Sequence, residues 1–140
     1  MDRNDLINYK NNMKYLNNEC ENIQRRRAKL EKITPSYTEN SNTQNANDKI
    51  GNGLAEIIDQ EVAYLNLVKE QLNKLREIEK VLWKMKNSTY KLILQRMYIN
   101  ERCMNLTQVA NEIDKEYKYT CSLHGLALDE FDRICLEEEN

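Results

Sequence analysis

"NLTQVANEIDKEYKYTCSLHGLALDEF", residues 105 to 131, decides how this chain is read. Apolar residues fall at Leu106, Val109 and Ile113, lapse through "DKE", and resume at Thr120, Leu123, Ala127, Leu128 and Phe131. This is the period of two amphipathic helices separated by a turn. Ala110 supplies a small side chain where a second helix can cross close above the first. Thr120 and Leu123 follow it by ten and thirteen residues, as the inward stripe of that second helix. Thr107 stands where it can cap the first helix. A DNA-reading helix-turn-helix needs this register. Antiparallel helices closing a small bundle can show it too, but the spacing favours DNA.

If the unit reads DNA, its second helix starts near Glu116 and enters the major groove. The outward positions are then Glu116, Tyr117, Lys118, Cys121, Ser122 and Gly125. Tyr117, Lys118, Cys121 and Ser122 are expected to reach bases. Lys115 and the amino end of the Leu106 helix are expected to hold phosphates. Charge works against a firm grip. From Lys84 to Asn140 carboxylates outnumber cations, and phosphate neutralisation dominates DNA affinity. The unit alone should bind DNA weakly, with a shallow salt dependence.

Working outward from this stretch, "TYKLILQRMYIN" (89–100) reads as a helix that "KNSTY" (86–90) starts, with Asn87 or Ser88 as its cap. Upstream, Ile58, Val62, Leu65, Val68, Leu72, Leu75, Ile78, Leu82 and Met85 mark a long helix over 54–87. Residues 34–53, "TPSYTENSNTQNANDKIGNG", are polar and without period, which predicts a flexible linker with Gly51 and Gly53 at its far end. Before it, Leu6, Tyr9, Met13, Leu16, Cys20, Ile23, Arg27 and Leu30 form a coiled-coil stripe over 1–33, broken only by Arg27. Two long helices joined by a flexible loop suggest an antiparallel hairpin. A homodimer or higher oligomer through the same seam competes with it. The expected fold is all-α: a long N-terminal helical hairpin or coiled coil, then a helix-turn-helix module at 88–136 and an acidic tail at 137–140.

The composition agrees. Of 140 residues 31% are charged, only three are Gly and one is Pro, which suits long helices with thin apolar stripes. There is no apolar run of membrane-spanning length and no signal-peptide core at the start, so a cytosolic protein without a membrane partner is expected. Cys20, Cys103, Cys121 and Cys135 form no Cys-x-x-Cys pair and are expected as free thiols. Cys121 and His124 lie one turn apart but lack two further ligands at zinc spacing, so no metal or cofactor is expected. There is no phosphate-cradling glycine loop and no nucleophile with an identifiable base, so the chain does not read as an enzyme. "QRRRAK" (24–29) reads as a solvated coil face, and Trp83 as a plug between the long helices and the module.

"YKLILQRMYIN", "LTQVANEI" and "YTCSLHGLALDEF" together resemble the fourth region of bacterial sigma factors, the helix-turn-helix that reads the −35 promoter element. The chain is more similar still to small Firmicute phage and prophage proteins with sigma-like C-termini: the RinA-like and ArpU-like regulators of late phage genes and a related uncharacterised phage family. "LNKLREIEKVLWKM" (72–85) occupies the place of their second helix, so the likeness covers most of residues 28 to 134. Residues 1 to 27 look generic. The resemblance implies a regulator of phage or prophage transcription in the cytosol of a bacterial host. It would bind promoter-region DNA, with RNA polymerase as a further partner. The scarcity of basic residues on the second helix departs from the family pattern. Two alternatives stand beside this: a DNA-packaging adaptor of the small-terminase type, and an interaction protein whose sigma-like module does not bind DNA.

Overall fold

The computed structural model describes residues 1–33 and 43–140, with side chains for residues 1–32 and 51–140. All regular structure among them is helical: α1 (Arg3–Ile33), α2 (Thr43–Lys84), α3 (Ser88–Leu94) running into a π-helical turn (Gln95–Ile99), α4 (Leu106–Ile113) and α5 (Tyr117–Glu139). No described helix is long and apolar enough to cross a membrane. The chain divides into two compact units, Met13–Glu70 and Met1–Asn12 with Gln71–Asn140.

In Met13–Glu70, α1 and α2 pair in opposite directions. Arg27 bridges to Glu61, Tyr64 lies near the Cys20 thiol, its pKa raised by burial and then by that thiol, and Leu30 lies against Gly53. Leu16, Ile23 and Ile57 are buried there. This differs from the expected stripe. Ile58, Val62 and Leu65 are 47%, 53% and 61% exposed. The helix turns Ile57 and Tyr64 inward instead, about 100° away. Hydropathy favours the outer stripe. The inner one is used because it sets Gly53, Glu61 and Tyr64 opposite Leu30, Arg27 and Cys20, a match of size and charge that periodicity cannot register.

The start of α2 also differs. The helix begins at Thr43, not at Leu54, so the expected linker over 34–53 is helical in its second half. Its first half lies outside the described residues. A polar sequence lacks a face to bury, but it can extend an existing helix, and each Gly costs only about 1 kcal/mol there. Gly53 is used for closeness: a Cβ at this position would stand 3.3 Å from Leu30 Cδ1.

The other unit has a deep core. Ile78, Val81 and Leu82 from the end of α2, Met85 just after it, Ile93 and Leu94 from α3, and Phe131 and Ile134 from α5 are all at most 4% exposed. Leu6 and Tyr9, from the segment read as generic, are buried in it as well. Leu72, expected inward, is 49% exposed. The π turn adds a residue to one helical turn (Asn100 N–H to Gln95 O, 3.0 Å) and so buries Met97 and Tyr98 side by side. Residues 137–139, expected as an acidic tail, are the last turn of α5. Each carboxylate is held: Glu137 by Arg133, Glu138 by Lys84 and Glu139 by the terminal ammonium at 2.6 Å. Arg3 bonds Asp132 at 2.6 Å and Asp129 at 2.7 Å, so the chain start is fastened to α5 by charge.

Candidate nucleic-acid interface

Local chemistry sets the frame of the α4–α5 unit. Asn105 caps α4 by accepting from the Gln108 N–H at 2.8 Å, while the Gln108 side chain accepts from the Asn105 N–H at 2.9 Å. This reciprocal box takes the place expected for Thr107, which lies inside the first turn. The turn holds Asp114 in left-handed geometry (φ 56°, ψ 49°). Asp tolerates this better than most residues with a Cβ, which explains how the turn closes without glycine. The Lys115 N–H then donates to the Ala110 carbonyl at 3.0 Å, completing the helix end.

Packing divides the predicted residues into two sets. Val109, Ala110, Thr120, Ala127 and Leu128 are buried, and Leu106, Ile113 and Leu123 are half-buried. Thr120 is fully buried in a position usually aliphatic. Its hydroxyl donates to the Glu116 carbonyl at 2.9 Å, which satisfies the polar atom within its own helix. Lys115, Glu116, Tyr117, Lys118 and Ser122 are exposed, and Cys121 is half-buried. Tyr119, not foreseen as part of this surface, is 52% exposed beside them. On the helix it falls about 60° beyond Ser122, towards half-buried Leu123, which is why periodicity does not mark it as outward.

The outward face is poor in free charge. Arg96 is held by Glu112 at 2.8 Å, and Arg133 by Glu130 and Glu137. Lys115 and Lys118 make no ion pair among the described residues. They stand in sequence beside Asp114 and Glu116. Two predicted base-reading groups are neighbours on one helix face: the Cys121 thiol, one turn on, raises the Tyr117 pKa. Behind the face, the Tyr98 hydroxyl shares a 2.8 Å hydrogen bond with His124 Nε2. Burial, then the charges of Arg3 and Lys10, lower the His124 pKa, so the ring is neutral at pH 7. His124 is thus a packing residue. Among the described residues no group of three His, Cys, Asp or Glu could hold a metal ion.

Trp83 does not plug a junction. It is 84% exposed, with Lys91 Nζ 5.5 Å from its ring centre, beside an open groove of about 500 Å³ lined by Arg76, Glu79, Lys80, Lys84 and Glu138. The interior near it is already filled by Val81, Leu82 and Met85, which leaves the indole facing out.

Comparison with known proteins finds no matching family model, no matching curated protein and no matching solved structure.

Proposed function

We propose that this chain is a helical hairpin carrying a sigma-like helix-turn-helix, and that it regulates phage or prophage transcription by binding promoter-region DNA, with RNA polymerase as a further partner. The reading is carried by the division of residues 106–128. Ala110, Thr120 and Ala127 are buried, while Glu116, Tyr117, Lys118 and Ser122 stand exposed at the start of α5. An exposed first turn on the second of two packed helices is the shape that enters a major groove. In the bound state Tyr117, Lys118, Cys121 and Ser122 read base edges, and Lys115 holds a phosphate.

The shortage of free cations supports a second reading, in which the module docks on polymerase or another protein without touching DNA. The two readings differ in salt dependence and specificity. With Lys115 and Lys118 as the cations in contact, one copy should show a log–log salt slope of roughly −2. Lys118→Ala should leave the melting temperature unchanged. It should weaken binding by roughly 1–3 kcal/mol with relaxed specificity at one base pair, or lower the slope by about one if Lys118 meets only phosphate. Binding of wild-type and variant protein to a library of promoter fragments across a salt series measures this. Absence of any sequence preference at low salt, with and without polymerase, overturns DNA reading in favour of protein docking.

A further inference from the structure

Within Met13–Glu70, α2 carries a second apolar stripe that α1 does not cover. Leu54, Ile58, Val62 and Leu65 are 41%, 47%, 53% and 61% exposed. Their spacing of four, four and three residues keeps them within about 80° of one face. The inner seam through Ile57 and Tyr64 is occupied by α1 in the same chain. A helix with two apolar seams displaced by one residue is patterned for two neighbours, and α1 is one.

We infer that the second neighbour is α2 of another copy of this chain, packed antiparallel through this stripe about a two-fold axis. The stripe and its flanking charges are self-complementary in one register. Setting Val62 against the partner copy's Leu65 aligns Lys69 with the partner copy's Ile58, and symmetry repeats both contacts. The Lys69 stem then covers an apolar side chain while its ammonium reaches the adjacent Asp59. Lys69 and Asp59 are both exposed, and neither is ion-paired among the described residues. A parallel pairing would oppose Lys69 to Lys69 and Asp59 to Asp59. The stripe is short and the interface small, so the dimer should dissociate in the micromolar range. This pairing is independent of the DNA reading and differs from association through the seam that α1 occupies.

Sedimentation equilibrium of the full chain over a wide concentration range tests it. Wild type is expected to pass reversibly from monomer to dimer. Leu65→Glu, at an exposed position, should keep the helical circular dichroism and raise the dissociation constant roughly tenfold or more, because the glutamate would be buried opposite Val62. Asp59→Lys and Lys69→Asp should each weaken the dimer, and the double exchange should restore it. A wild type that stays monomeric throughout overturns the inference. So does a dimer indifferent to Leu65→Glu, or a double exchange no better than the single ones.

Discussion

Met13–Glu70 buries Leu16, Ile23 and Ile57 along one line between two helices, whereas the unit of Met1–Asn12 and Gln71–Asn140 closes several helical segments around Phe131, Ile93 and Val109, each 0% exposed. Both are built from amphipathic helices of similar composition. A pair of helices can shield only the strip each turns to the other. Its seam tolerates Arg27 paired to Glu61 at its edge. Where helices surround a residue on all sides, the side chain is fully enclosed, and its polar atoms find partners inside the fold. Thr120 and the Tyr98–His124 pair show this. The first unit should therefore be soft and the second cooperative.

That contrast breaks most visibly at the two cores. Phe131→Ala should cost about 3–5 kcal/mol, since a closed core cannot collapse onto the cavity, and Ile23→Ala should fall near the low end of its class, about 2 kcal/mol, because a two-helix seam can close up. Denaturant unfolding of both variants measures this, and equal losses would mean that the seam is as rigid as the core. Charge along the two long helices sharpens the assignment of faces. Leu16→Asp should cost about 3 kcal/mol, because Leu16 is 2% exposed, while Leu72→Asp should change stability by less than about 0.5 kcal/mol. A large loss at Leu72 would return the seam to the outer stripe.

Within the closed unit, Ala110→Leu should cost roughly 1–3 kcal/mol by forcing α4 and α5 apart, and should lower the melting temperature and any DNA binding together. Caps give a smaller effect. Asn105→Ala should cost about 1 kcal/mol, and Thr107→Ala much less, in thermal melts that test which residue starts α4.

The smallest expected effect is a pH slope. His124 has a lowered pKa in the folded chain because burial disfavours its cation. Protonation is therefore easier in the unfolded state. The histidine's contribution is fully present above its unfolded pKa of about 6.5 and is lost as pH falls toward the folded value. Melting temperature should drop from neutral pH to below about 6, and His124→Gln should flatten that drop. An unchanged slope in the variant would place the sensitivity on carboxylates.

The sequence by itself determined the helical class, the break at Asn87, and which positions of residues 106–131 are apolar and which polar. These follow from local rules: helix period, cap chemistry and the burial preference of each side chain. Two features only tertiary structure decided. The seam of α2 went to Ile57 and Tyr64 and not to the more apolar Ile58 and Val62, because fit to α1 outweighed hydropathy. The chain start, patterned like any coiled coil, is core: Leu6 and Tyr9 are buried, and Arg3 pairs with Asp129 and Asp132 at the far end of the chain. Periodicity says that a side chain must be covered. What covers it depends on residues more than a hundred positions away, whose proximity no local pattern encodes.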